Sequence, residues 1–189
     1  MLDKITSLDI YLFHLFNEKL TNSFLDAFMP FITDLDNWKI PIILFWLFLM
    51  IKGGKKGRVA GLLIIPVIVL SDQVSASLIK PWVGRIRPCY ELESFRLLVD
   101  GCGGKLAFPS SHATNIAGFA TLFALFYRKQ AWIFVLIAFL IGYSRVYVGK
   151  HYPADVLFGW FLGAVIGYLV YRSYLVLSEK YPVLQYRGD

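Results

Sequence analysis

The chain has 189 residues, 57% hydrophobic and 17% charged, with a mean hydropathy of +0.58 and a formal net charge of +6. A soluble domain carries roughly 25% charged residues, so this composition excludes an ordinary soluble enzyme and describes an integral membrane protein. No polar linker and no internal repeat divides the chain, so residues 1–189 are expected to form one domain, and no nucleic-acid partner is expected.

In chain order, residues 1–37 read as interfacial or first-span helices. SLDIYLFHLFNEKL places Leu8, Tyr11, Leu12, Leu15 and Phe16 on one face and Asp9, Asn17 and Glu18 elsewhere. That is the pattern of an amphipathic helix lying in the membrane interface. His14 sits on the same helix and is expected to be interfacial, not catalytic. NSFLDAFMPFITDLD continues in the same vein and is expected to break at Pro30. No basic segment leads into a compact apolar core with a small-residue cleavage site, so no secretory signal peptide is expected.

Residues 38–177 form the expected helical core. A crossing helix needs about 20 mostly apolar residues. Stretches 59–79, 132–148 and 156–177 approach that length, whereas 40–51 and 114–126 need flanking residues to reach it. The expected fold is therefore an all-α polytopic bundle of five spans preceded by amphipathic helices. Six spans is the alternative. Asp72 and Gln73 fall inside span 59–79 and are expected to hydrogen-bond a neighbouring helix. Residues 178–189 are expected to be a cytoplasmic tail.

Lys52, Lys55, Lys56 and Arg58 crowd the loop KGGKKGR, and Arg128 and Lys129 occupy the next turn on the same side. The positive-inside rule makes that side cytoplasmic. The opposite side nevertheless carries Lys80, Arg85, Arg87, Arg96, Lys105, Arg145 and Lys150. Either the orientation is the reverse of this, or these cations are held against the charge rule by an anion that they bind.

Three segments concentrate them. In KPWVGRIRP, Pro81, Gly84 and Pro88 interrupt a plain helix between Lys80 and Arg87, which alone reads as cations snorkelling from a helix end. In FPSSHATN, Ser110 and Ser111 suit a helix cap. A helix N-terminus is also an anion site, and His112 in its first turn can reach the same anion. In SRVYVGKHYPAD, Pro153 suits the first turn of a helix, with His151 just outside it and Asp155 within it. Asp155 reads either as a charge favouring the helix dipole or as the acceptor for one ring nitrogen of His151, which leaves the other nitrogen as a nucleophile. No carboxylate cluster and no Cys/His set has metal-ligand spacing, so no metal and no cofactor are expected.

Lys80, six residues, Arg87-Pro88; then Pro109-Ser110-Ser111-His112; then Ser144-Arg145, five residues, His151, three residues, Asp155: this order resembles the three-part signature of the type 2 phosphatidic acid phosphatase family, which shares its site with vanadium haloperoxidases. The resemblance covers residues from about 59 to 177. One position departs from it, since Ser111 stands where the family usually has glycine. A serine can supply the same backbone N–H. The resemblance implies a membrane enzyme that hydrolyses a lipid phosphomonoester or diphosphate through a phosphohistidine. His151 would be the nucleophile, Asp155 its orienting partner and His112 the acid and then the base. Lys80, Arg87, Arg145, Ser110 and Ser111 would hold the phosphate. Such chemistry runs without metal, resists chelators and is inhibited by vanadate.

With the site at the non-cytoplasmic face of a bacterial inner membrane, the expected partner is a lipid phosphate in the bilayer. Protein partners are not legible. The loop CYELESFRLLVDGCGGKLAF would border the headgroup, with Arg85 and Arg96 as candidate contacts. Its Cys89 and Cys102 would be either a disulfide or two free thiols. Among lipids, the 1-phosphate of lipid A is the leading expectation, ahead of undecaprenyl diphosphate and phosphatidylglycerophosphate. A non-catalytic phospholipid-binding or transport protein is the reading from another class.

Overall fold

The computed structural model describes residues 2–181 and 185. Helices account for most of them: α1 (Leu2–His14), extended by a π-helical turn at Leu15–Lys19; α2 (Ser23–Thr33); α3 (Lys39–Lys52); α4 (Gly54–Asp72), prolonged by the π-helical stretch Gln73–Ile79 and by α5 (Lys80–Val83); the single turn α6 (Pro88–Glu91); α7 (Ser111–Phe126); α8 (Ala131–Tyr147); and α9 (Pro153–Lys180). The described residues contain no strand, only an isolated antiparallel bridge between Ile86 and Leu106. The chain is thus the all-helical membrane bundle expected of its sequence.

Gly54–Val83, Arg128–Tyr147 and Pro153–Lys180 are long and apolar enough to cross a bilayer. Helices α3 and α7 have only 14 and 16 residues. For α7 this matters little, because it is the central helix, packed on α4, α8 and α9. Its Ala113, Thr114, Ala117, Gly118, Ala120, Leu122, Phe123 and Phe126 are all buried in protein instead of lipid. On α3, by contrast, Ile40, Ile42, Ile43, Leu44, Phe48 and Ile51 are exposed, a face suited to hydrocarbon.

Several boundaries differ from expectation. Helix α4 starts at Gly54 and takes most of the basic loop into its first turns. Helix α2 runs through Pro30 without breaking. Helix α9 continues to Lys180, so residues 178–180 of the expected tail are helical, while 182–184 and 186–189 lie outside the described residues. Neither Asp72 nor Gln73 reaches another helix. Both are exposed at the junction of α4 with the π-helical stretch, where Gln73 Oε1 accepts from Ser77 of that stretch at 3.2 Å.

The N-terminal helix corrects the expectation most sharply. Leu8 and Tyr11 of its apolar face point outward, while Asp9, Phe13 and Asn17 are buried against the bundle. The physical reason is the solvent. Apolar side chains suit lipid, and polar ones are stable inside only where partners satisfy them. Asn17 shows this: its Nδ2 donates to the carbonyls of Arg96 and Tyr147 at 2.8 and 2.7 Å, and its Oδ1 accepts from Arg96 N–H at 2.7 Å.

Helices α7 and α9 approach closely because α9 presents Gly159, Gly163 and Gly167 to α7, the small-residue spacing by which membrane helices bring their backbones together. A methyl group at Gly159 would stand 2.8 Å from the Ser110 carbonyl, and one at Gly163 would collide with the Thr114 carbonyl. Gly163→Ala is therefore expected to cost about 1–3 kcal/mol or more. A melting temperature in detergent several degrees below that of the parent checks it, and an unchanged one would show that the helices part without cost.

The ends of the bundle are distinct. The C-termini of α4 and α8 and the N-termini of α7 and α9 meet at one end. Lys52, Lys55, Lys56, Arg58, Arg128 and Lys129 lie at the other, where Lys56 Nζ sits 4.7 Å from the Tyr127 ring centroid. Trp82, 86% exposed, lies in α5 at the site end of the bundle, and exposed Trp132 lies at the opposite end. Such tryptophans mark the two interfaces of a membrane.

Candidate active site

The three motif segments are tied together by backbone hydrogen bonds before any side chain is considered. Arg87 N–H donates to the Lys105 carbonyl at 3.1 Å and Ala107 N–H to the Arg85 carbonyl at 2.7 Å, joining the first and second segments. Ser110 N–H donates to the Asp155 carbonyl at 3.0 Å, joining the second to the third. Within the third, Lys150 and His151 N–H groups donate to the Arg145 carbonyl at 3.1 and 3.2 Å, curling the chain after α8 so that His151 turns back toward Arg145. Gly149 permits this turn with φ of 86°.

Side chains then fill the enclosure. Lys80 Nζ donates to the carbonyls of Ala107 and Pro109. Arg87 donates through Nε to the Leu106 carbonyl at 3.1 Å and through Nη1 to the Cys102 carbonyl at 3.0 Å. Ser110 caps α7, its hydroxyl accepting from Ala113 N–H at 3.5 Å, and Ser111 accepts a hydrogen bond from Ser75 at 3.1 Å. Arg145, only 4% exposed, donates from Nη1 to Thr33 Oγ1, while its Nε has no hydrogen-bond partner. His151 is 2% exposed, with its Nδ1 3.5 Å from Asp155 Oδ2 and without a hydrogen bond. Asp155, fully buried, accepts from Tyr152 N–H through Oδ2 at 2.9 Å and from Arg85 Nη1 through Oδ1 at 2.9 Å. His112 is exposed in the first turn of α7, within the electrostatic reach of Arg145, His151 and Arg87.

Every residue expected to act on phosphate is thus gathered at one end of the bundle. The two expected headgroup arginines are engaged elsewhere. Arg85 pairs with Asp155 and with Asp9, and Arg96 donates to Asp26 Oδ2 at 2.6 Å. Cys89 and Cys102 are joined as a disulfide, with Cα atoms 6.3 Å apart. Three contributors were not assigned to the site from the sequence. Thr33, from α2, holds Arg145. Asp9, from α1, holds Arg85. Lys150 adds a further cation, its ammonium pushed down by burial and by Arg145 and Arg87. Only Lys150 left a signal, as one of the cations on the side opposite the basic loop and the residue directly before His151.

Burial, and after it the charges of Arg145, Arg87 and Lys80, hold His151 well below the ordinary histidine range, with the Ala107 carbonyl opposing them. The imidazole is neutral at pH 7, the form a nucleophile requires. Stability follows the same linkage. An unfolded histidine takes up a proton near pH 6.5 and folded His151 does not. Its contribution is therefore complete above about pH 6.5 and is lost as pH falls below it, by up to about 1.4 kcal/mol per pH unit. The melting temperature is expected to drop between about pH 7 and 5, and less steeply in His151→Asn. Equal slopes in the two proteins would contradict a buried neutral His151.

Fold and site together define an all-helical integral-membrane phosphatase. The chain belongs to the PAP2 superfamily, whose sequence profile matches residues 61–178. It is similar to the lipid A 4'-phosphatase of Bacteroides thetaiotaomicron, 32% identical over 181 residues that cover 90% of this chain and 79% of the relative. It is also similar to the lipid A 1-phosphatase of Rhizobium johnstonii, 38% identical over 100 residues that cover 51% of this chain and 41% of the relative. Among solved structures it resembles the transmembrane PAP2 type phosphatidylglycerolphosphate phosphatase of Bacillus subtilis, with a TM-score of 0.71 and 26% identity over 94% of this chain and 88% of that one. The protein is a membrane lipid phosphatase.

Proposed function

We propose that this phosphatase removes a phosphate from a lipid A-type glycolipid through a phosphohistidine at His151, at the non-cytoplasmic face of a bacterial inner membrane. The observation that carries the proposal is the buried unpartnered Arg145 Nε among the cations Lys80, Arg87 and Arg145, beside a buried His151 whose Nδ1 faces Asp155. Buried donors left unpaired and like charges left uncompensated are costly, and a phosphate entering among them relieves both.

The steps follow from the side chains. A neutral ring nitrogen of His151 attacks phosphorus, the bond to the lipid oxygen breaks, and His112 gives that oxygen its proton. The phosphorylated imidazole carries positive charge, which Asp155 stabilises. A water molecule, losing its proton to His112, then displaces His151 and releases inorganic phosphate. Lys80, Arg87 and Arg145 hold the nonbridging oxygens throughout, with the backbone N–H groups at the start of α7. These cations supply the charge stabilisation for which other phosphoryl-transfer enzymes use a metal. Among the described residues no group of three or more His, Cys, Asp or Glu could hold one.

For substrate position, similarity along 90% of the chain to a lipid A 4'-phosphatase favours the 4'-phosphate over the 1-phosphate expected at first. The 1-phosphate is the second reading, favoured by the match to the lipid A 1-phosphatase over 100 residues. The basic end of the bundle opposite the site supports the membrane orientation. Phosphate release from lipid A bearing either or both phosphates, undecaprenyl diphosphate and phosphatidylglycerophosphate, in detergent with excess EDTA and a His151→Ala blank, tests the reading. The expected result is fastest release from the 4' position, unchanged by chelator. Faster turnover of either other lipid would overturn the substrate class, and loss with EDTA that magnesium restores would overturn the mechanism.

A further inference from the structure

Helix α9 starts with its own Asp155 reaching back to Tyr152 N–H at 2.9 Å, but the N-cap residue makes no side-chain cap hydrogen bond. Tyr152, at the N-cap, has no short side-chain oxygen, and Pro153 carries no N–H. The next donor, Ala154 N–H, is met from 145 residues upstream by Asp9 Oδ1 at 2.8 Å. The other Asp9 oxygen accepts from Arg85 Nη2 at 2.6 Å, and Arg85 Nη1 donates to Asp155 Oδ1 at 2.9 Å. The guanidinium lies over the Tyr152 ring, 4.0 Å from its centroid. Asp9 is 6% exposed and Asp155 fully buried, so both carboxylates are shielded from water, while the Arg85 side chain that joins them is 22% exposed.

Charge gives the arrangement a purpose. Arg85 alone beside Asp155 would neutralise it, and the imidazolium formed at His151 would then face only the cations Lys80, Arg87 and Arg145. With two carboxylates on one guanidinium, one net negative charge remains beside His151. We propose that Asp9 is a positioning residue for phosphoryl transfer: through Arg85 it fixes Asp155 against His151 and preserves that negative charge. Helix α1 is on this account part of the active enzyme and not only a membrane-surface anchor. The inference rests on His151 as nucleophile.

Asp9→Asn keeps an oxygen for Ala154 N–H and removes the charge. Outer-shell partners of this kind typically change activity by about ten- to a hundredfold. The expected result is a kcat loss in that range with KM for the lipid within about threefold, because the cations that hold phosphate are untouched. The double variant Asp9→Asn, Arg85→Gln is expected to lose no more than Arg85→Gln alone, since both act through one chain. Asp26→Asn serves as the stability control, since it breaks the other ion pair between the N-terminal helices and the loop, that of Asp26 with Arg96, away from Asp155. It is expected to lower the melting temperature and leave kcat unchanged.

A kcat for Asp9→Asn within about twofold of the parent would overturn the proposal. So would a kcat loss that Asp26→Asn reproduces at an equal drop in melting temperature. The underlying reading fails separately: if His151→Ala retains turnover, the nucleophile is wrong, whereas a dead His151→Ala beside a fully active Asp9→Asn overturns only the role of Asp9.

Discussion

His151→Ala is expected to reduce phosphate release by about 10⁴-fold or more while the protein still binds its lipid. The two halves of that result have different origins. Lys80, Arg87 and Arg145 remain in place and still attract a phosphate, because two of them are fixed by main-chain carbonyls and the third by Thr33, none of which depends on His151. What disappears is the atom that attacks phosphorus. On the proposed mechanism, direct attack by water would have to occur from a position where no side chain removes its proton, since His112 would be on the leaving-group side. Parallel measurement of phosphate release and lipid binding on one preparation checks this. Retained turnover would show that the buried imidazole is only a filler of the pocket.

His112→Ala is expected to lower turnover of the lipid substrate by about 10²–10⁴-fold, the usual worth of a positioned acid or base. The loss should depend on the leaving group. A lipid or sugar hydroxyl is a poor one and needs the His112 proton, whereas the phenolate of p-nitrophenyl phosphate leaves without it. The first step with the aryl ester should therefore be nearly normal in the variant. The second step should not, because the water that opens the phosphohistidine still lacks its base. A burst of nitrophenol followed by slow turnover is the expected time course. An equal loss with both substrates and no burst would place His112 outside the proton transfers.

The sequence and the structure agree where the signal is local. Lys80 with Arg87, Ser110 to His112, and Arg145 with His151 and Asp155 could each be read as a short segment at a helix end, and the main-chain bonds that join the segments bring them to one place. The membrane bundle was equally legible, because long apolar runs such as those in α4, α8 and α9 have no soluble alternative. The partners of the charges were not. Arg85 and Arg96 looked like headgroup contacts because the carboxylates that hold them, Asp9 with Asp155 and Asp26, are 70 or more residues away in sequence. Helix α1 was read as an amphipathic helix lying in the membrane interface, with Asp9 and Asn17 simply off its apolar face. In a bilayer the face bearing Asp9 and Asn17 turns inward because it alone can make specific bonds there. Nor does local sequence reveal the π-helical stretch before Lys80, which brings Ser75 to Ser111.

The central claim is a covalent phosphoryl group on His151, and trapping it is the most direct test. The parent protein and His112→Ala are mixed with p-nitrophenyl phosphate, quenched in alkali within the burst, digested and examined by mass spectrometry. The expected result is one phosphoryl group on the peptide containing His151, stable in alkali and lost in acid, more abundant in His112→Ala and absent from His151→Ala. Turnover with no phosphorylated peptide in either protein, or with the group on any residue other than His151, would contradict it.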